Sequence, residues 1–323
     1  MSQAFGYNAF IGYGRETTWG TPVAATIFNE FLDESIKLDQ KRNYKPTLGS
    51  VSQRYSVRGK RKGGGSVKMP MIYQGCETLF KDALGSVVSA LTDVTAYTHT
   101  FSLAAALNTG LTFVVNRDAG AIGGSSCFQY AGCQIAKLAI AQNQENFAEL
   151  SVDIEAQDEL LIAKPTPTFP TFKGVDWEML STFTIGGTPI PVKTFEIAIE
   201  NPLSTDRYKL GSNLRMGLGR GGVRKVSGKL SLEFQDLALY TFFRSLGTAG
   251  ALVATFTGGL IPGSSTPYTF QVNAPTVILQ GATPPVKDAG PIILDMPFEC
   301  DASAGADNSE VSVVIKNALT SVT

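Results

Sequence analysis

The chain carries the same local pattern twice. Leu48-Gly49-Ser50 recurs as Leu210-Gly211-Ser212, 162 residues further along a chain of 323. An amphipathic stretch with an acidic end precedes each triplet. It is Ser35-Ile36-Lys37-Leu38-Asp39 in the first half and Glu196-Ile197-Ala198-Ile199-Glu200 in the second. Each triplet is followed by a Gly-rich basic stretch, an alternating strand, and a short amphipathic helix. The helices end at Leu84-Gly85 and Leu246-Gly247, again 162 residues apart. That period is too long for a solenoid unit and fits a domain of ordinary size. The expected product is two similar domains, assembled by pseudo-symmetry.

Composition narrows the classes. Hydrophobic residues make up 43% and charged residues only 17%, against roughly 25% charged in an average soluble domain. So small a charged fraction implies surface that is covered by other chains. A net charge of −1 excludes a protein that holds nucleic acid by bulk electrostatics. Cys76, Cys127, Cys133 and Cys300 form no CxxC pair and read as reduced, half-buried thiols. The first residues lack the basic and apolar regions of a secretory signal, and no apolar run reaches the ~20 residues of a membrane helix. Synthesis and assembly in a cytoplasm are expected.

The pattern predicts a β-rich α+β fold: two tandem β-sandwich or barrel-like domains, each with a short flanking helix. Residues 1–30, broken by Gly6, Gly12, Gly14, Gly20 and Pro22, read as an N-terminal arm. The first domain spans 31–163, a Pro-rich linker 164–172, and the second domain 173–323. Pro165, Pro167 and Pro170 stiffen the linker and bar it from sheet pairing. In the first domain, strands are expected at 34–42, 67–71, 97–103, 111–116, 134–141 and 148–155, with a helix over 76–84. In the second, they are expected at 195–200, 230–234, 251–256, 268–279, 291–299 and 310–316, with a helix over 236–246. The last two strands of each domain are read as equivalent closing hairpins.

Few residues offer chemistry. Gly217-Leu218-Gly219-Arg220-Gly221-Gly222 fits a dinucleotide fingerprint in letters. That site needs a helix after the glycines, and here a strand follows, so the run reads as a glycine loop. His99 is the only histidine, with no cysteine cluster beside it. It cannot build a zinc set or serve a triad, and an exposed strand face is expected for it. Asp153, Glu155, Asp158 and Glu159 read as a solvated or interface face. The chain is expected to be no enzyme and to need no cofactor or metal.

The strongest polar feature is a pair of basic loops at equivalent places, 43–65 and 204–226. They carry Arg54, Arg58, Lys60, Arg61 and Lys62 in the first, and Arg215, Arg220, Arg224 and Lys225 in the second. These nine are the candidate contacts to an acidic partner surface. Glu145, Glu149, Asp288 and Asp307 are candidate acidic counterparts. Few aromatics are interleaved, which speaks against single-strand nucleic-acid binding.

The stretch Ile11-Gly12-Tyr13-Gly14-Arg15-Glu16-Thr17-Thr18-Trp19-Gly20-Thr21-Pro22 resembles the N-terminal stretch of tail tube proteins of long-tailed bacteriophages. The wider order of strand, long loop, strand, short helix and closing strands is similar to that family twice over. The resemblance implies a structural virion protein. Three duplicated chains would form a ring of six lobes, and rings would stack into a hollow tail that conducts DNA during ejection. It also implies tape measure, tail terminator and distal tail proteins as partners, a lumen that does not bind the passing DNA, and no membrane. The alternative class is a β-sandwich binding module such as a virion adhesin or decoration protein.

Overall fold

The structure, a computed structural model, describes residues 4–118, 120, 125–235, 240, 241, 244, 250–281, 283, 284, 286, 290–302 and 309–322. Its first half contains β1 (Phe10–Arg15), β2 (Ile27–Asn29), β3 (Asp33–Glu34), β4 (Lys37–Tyr44) and β5 (Ser56–Pro70). Then follow α1 (Glu77–Leu84), β6 (Gly85–Asp93), β7 (Ala96–Leu103), β8 (Leu111–Asn116), β9 (Cys127–Gln142), β10 (Glu149–Ala156) and β11 (Asp158–Ile162). The second half contains β12 (Leu180–Ile185), β13 (Thr188–Pro189), β14 (Val192–Glu200), β15 (Leu203–Ser204), β16 (Gly219–Arg220) and β17 (Lys225–Glu233). It ends with β18 (Gly250–Leu260), β19 (Pro267–Leu279), β20 (Ile293–Cys300) and β21 (Ser312–Asn317).

Strand pairing repeats from half to half. β1 pairs with β2 and β8, as β12 pairs with β13 and β18. β5 pairs with β4 and β10, as β17 pairs with β14 and β20. The long β9 pairs with β8, β10 and β11, as the long β19 pairs with β18, β20 and β21. In both halves the long strand bends, so one end lies in each layer of a sandwich. A glycine sits at the same place in each copy. A Cβ on Gly65 would stand 2.5 Å from the Ser35 carbonyl oxygen, and one on Gly228 would stand 2.2 Å from that of Glu196. Only glycine admits so close a backbone approach.

This pairing corrects the equivalence expected for the closing strands. β20 matches β10, and β21 matches β11. The shift comes from the β6–β7 hairpin, which stands between α1 and β8 and has no counterpart before β18 among the described residues. From β5 and β17 to the helices the offset stays within a residue of 162; beyond them the extra hairpin breaks it. The helix expected over 236–246 lies outside the described residues except for Tyr240, Thr241 and Arg244, which are helical. The first helix ends as expected, with Gly85 at φ 109 donating its N–H to the Lys81 carbonyl.

The two halves are stitched edge to edge. β9 pairs along β14 from Gln142↔Phe195 to Lys137↔Glu200, and β7 pairs with β21. One layer therefore runs β4-β5-β10-β9-β14-β17-β20 across both halves. A single buried cluster contains Val67, Leu138, Val152, Ile197, Leu230 and Phe270, from both halves alike. Among the described residues no sheet closes into a barrel.

Phe10–Arg15, inside the stretch read as an arm, is buried between β2 and β8. Alternation of Ile11 and Tyr13 with glycines lets the strand lie flat in the second layer. His99 is also not where it was expected. It is fully buried, because it shares the inward parity of Phe101 and Leu103 on β7. Its ring nitrogens are held by Ser89 Oγ at 2.8 Å and Asn317 Oδ1 at 3.1 Å. Burial lowers its pKa first, against the hydrogen bond that its Nε2–H donates to Asn317 Oδ1.

Candidate assembly surfaces

The two Leu-Gly-Ser triplets are loop apices. Gly49 and Gly211 take φ of +88° and +86°, the left-handed region that favours glycine. Leu48 and Leu210 beside them are fully exposed. The first apex caps a hairpin in which the basic stretch 56–65 is itself strand, part of β5, rather than loop. Tyr44, Tyr55 and Val57 on this hairpin are also exposed.

The nine basic candidates divide by partner. In the first loop, Lys60 Nζ pairs with Asp206 at 2.5 Å and lies over the Tyr208 ring. Arg61 pairs with Asp158 at 2.6 Å, and its backbone N–H donates to the Asn213 carbonyl. In the second loop, Arg215 is only 4% exposed; it donates to Glu155 Oε2 at 2.7 Å and to the Ala156 carbonyl at 3.2 Å. The two loops thus lie against each other and against β10–β11. The carboxylates Glu155 and Asp158 are partners of the basic loops within one chain.

Arg220 and Arg224 serve a different joint. Asn201 follows β14 and donates through Nδ2 to the Ala83 carbonyl at the end of α1, at 2.8 Å. Its Oδ1 accepts from Arg220 at 3.1 Å and from Arg224 at 3.2 Å. Both arginines also donate to the Ala104 carbonyl, at 2.9 and 2.6 Å. Cations at a helix C-terminus complement its dipole. Desolvation lowers the pKa of both guanidiniums. Lys225 pairs with Glu299 at 2.6 Å. Only Arg54, Arg58 and Lys62 remain exposed without an ion-pair partner among the described residues. Of the acidic counterparts, Glu149 pairs with Lys68 at 2.6 Å and Glu145 is exposed. Asp288 and Asp307 lie outside the described residues.

The outward face of the continuous layer carries a ladder of cross-strand ion pairs. Lys137–Glu200 spans the joint between halves at 3.1 Å, Lys229–Glu196 follows at 2.9 Å, and Lys225–Glu299 extends it. Asp295 on β20 is exposed. Asp153 lies near both Lys137 and Glu200; desolvation raises its pKa first, and Glu200 raises it further. These lysines are thus matched by glutamates, and the same face carries Asp39, Asp153 and Asp295 beside exposed Lys37 and Lys62.

Some structural residues gave no sequence signal. Arg117 clamps Glu34 through two nitrogens, at 2.7 and 3.0 Å, and also donates to the Ile36 carbonyl. Asn201 likewise stands in an unremarkable context. Glu16, inside the recognised N-terminal stretch, turns out to be the knot of that stretch. It is 1% exposed and accepts from Gly20 N, Thr112 Oγ1 and Gly132 N at 2.7, 2.8 and 2.8 Å. No described helix is long and apolar enough to cross a membrane.

No curated protein matches the chain. A family model described as phage tail tube protein matches residues 6–300, which takes in the N-terminal stretch, both halves and the joint between them. The chain belongs to the phage tail tube protein family.

Proposed function

We propose that three copies close into a ring of six pseudo-equivalent halves, and that such rings stack into the hollow tube of a phage tail. The observation that carries this reading is the joint between β9 and β14. It is an edge-to-edge contact between unlike edges of two equivalent units, and a contact of that kind either closes into a ring or runs on as a filament. Closure also removes exposed strand edges, which otherwise invite aggregation. The role is structural and non-enzymatic. Chains assemble in the host cytoplasm and end in the virion tail, with a tape measure protein inside the growing tube and terminator and distal tail proteins at its ends.

The outward face of the continuous layer lines the bore in this reading. Its ladder lysines, each paired with a glutamate, support free passage of DNA. A basic lining would gain affinity by counterion release and hold the phosphates. Negative-stain images of purified protein should show rings or tubes about 10 nm wide, the span of six ordinary domains around a bore. Particles that remain single globules at high concentration would contradict the proposal.

The hairpin tip is the axial contact in this reading, but the nine basic candidates are not equal in it. Arg54, Arg58 and Lys62 are free to meet another ring, whereas Arg61, Arg215, Arg220 and Arg224 are held within the chain. The triple change Arg54→Glu, Arg58→Glu and Lys62→Glu should leave the fold and the ring intact and shorten or abolish tubes. Single surface pairs are worth about 0–1 kcal/mol, but the loss repeats around every ring. Tubes of normal length from the triple variant would remove these residues from the contact.

A further inference from the structure

The continuous layer has two unlike ends. On the joint ladder, Phe195 faces Gln142 at one end and Glu200 faces Lys137 at the other. The loop with the Leu210 apex lies beyond Glu200. In the first half, Pro70 faces Glu149 at the end away from the Leu48 apex. The end opposite the apices carries a hollow of about 300 Å³, where the start of β14 meets the turn after β9. Phe183, Phe195 and Phe256 are its buried floor, and Trp177, Leu180 and Val192 its walls. Gln142 Nε2 donates to the Asn143 and Asn146 carbonyls at 2.7 and 2.8 Å, which fixes the turn that bounds the hollow. A smaller cleft of about 80 Å³ opens at the same end of the first half, beside Ile72, Phe169 and Phe172. Phe147 meets Phe172 edge-on at 5.4 Å and bridges to Asp176, the neighbour of Trp177. Phe147, Phe172 and Trp177 are 44%, 51% and 39% exposed, an apolar patch of the kind that marks a contact.

We propose that these two depressions are the receiving sites for the Leu-Gly-Ser apices of copies in the adjacent ring, with Leu210 seated in the hollow under β14 and Leu48 in the cleft beside Phe172. The inference rests on the stacked-ring reading above and assigns the axial contact its second side. A second copy is the occupant because every copy carries one end of each kind, and head-to-tail stacking brings unlike ends together. The chemistry of the two ends is complementary. Leu48 and Leu210 are fully exposed at tips shaped by the left-handed Gly49 and Gly211, and an aromatic-floored hollow takes such a side chain out of water. Charge is complementary as well. Arg54, Arg58 and Lys209 are exposed at the apex end, and Glu30, Glu145 and Glu178 at the other. Glu178 lines the hollow itself. Unlike ends therefore attract and like ends repel, which sets the polarity of the stack. Two apices and two depressions per chain give one contact for each pseudo-equivalent half.

Trp177 reports the docking directly. Its fluorescence in wild-type tubes should shift to shorter wavelength and lose most of its quenching by acrylamide, relative to single rings. The chain has one other tryptophan, Trp19, and Trp177→Phe protein supplies that signal for subtraction while keeping an aromatic wall. The double change Leu48→Asp/Leu210→Asp should leave folding and rings intact, because both side chains are fully exposed in the chain itself, and should abolish tubes. Leu48→Met/Leu210→Met, which keeps the apices apolar, should retain them. Tubes of normal length from the double aspartate variant, or wild-type tubes whose Trp177 is quenched as in free rings, would place the axial contact elsewhere and leave stacking itself standing. Wild-type rings that never stack sink the stacking and the docking together.

Discussion

Replacing Glu16 with alanine is expected to lower the unfolding free energy by about 2–6 kcal/mol, since it strands two fully buried donors, Thr112 Oγ1 and Gly132 N, at about 1–3 kcal/mol each. Three donors depend on this carboxylate: Gly20 N, Thr112 Oγ1 and Gly132 N. They come from three places, the turn after β1, strand β8, and the bend of β9. Gly132 takes φ of +62°, and a Cβ there would meet the Trp19 ring at 3.1 Å. The glutamate, the tryptophan and the bend of β9 are therefore one unit. Burial raises the Glu16 pKa first, against these hydrogen bonds. Glu16→Gln keeps an acceptor oxygen and should cost less. Urea titration checks both: the midpoint should fall with little change in slope. An alanine variant as stable as wild type would mean that the recognised N-terminal stretch is held by something other than this knot.

The second large effect has the opposite sign. Asp82→Asn should stabilise the chain at alkaline pH. Asp82 lies on α1 and is buried, and burial is the main reason its pKa rises from 3.8 to about 7. Below pH 3.8 the folded and unfolded chains both hold the proton, and the aspartate costs nothing. Between 3.8 and about 7 the unfolded chain releases it first, so wild-type stability falls as pH rises. The loss saturates above the folded pKa at about 4 kcal/mol, at 1.36 kcal/mol per unit. Glu77, raised to about 6 mainly by burial, adds to the slope in the lower part of that window with the same sign. Asparagine retains an acceptor for the Ile135 N–H that Asp82 now takes at 3.4 Å. Melting curves should therefore superimpose near pH 4 and separate progressively to pH 8. A separation that does not change with pH would contradict the ionisation argument.

Local features were legible where a short segment decides them. The Leu84-Gly85 helix stop and the exposed Leu-Gly-Ser apices need only neighbouring residues. Strands such as 111–116 and 268–279 follow from apolar content and alternation alone. The duplication was legible as well, but its phase was lost after α1, because one inserted hairpin changes spacing without changing local pattern. His99 was misplaced by one step of parity: Phe101 and Leu103 fix the inward side of β7, and histidine shares it. The arginines failed for a different reason. Their partners Asp158, Glu155, Asn201 and the Ala104 carbonyl are distant in sequence, and charge along the chain says nothing about such contacts. Edge pairing between β9 and β14 is equally silent, since an apolar alternating strand looks the same at an edge and at a joint.

The central claim is that one chain supplies two of six equivalent places around a closed ring. Native mass measurement of the smallest closed assembly tests it most directly. Three chains per ring is the predicted result, because the joint between β9 and β14 already serves as every second contact. A closed ring of six chains would contradict the account, since each chain would then occupy a single place and the internal joint would have no counterpart between chains.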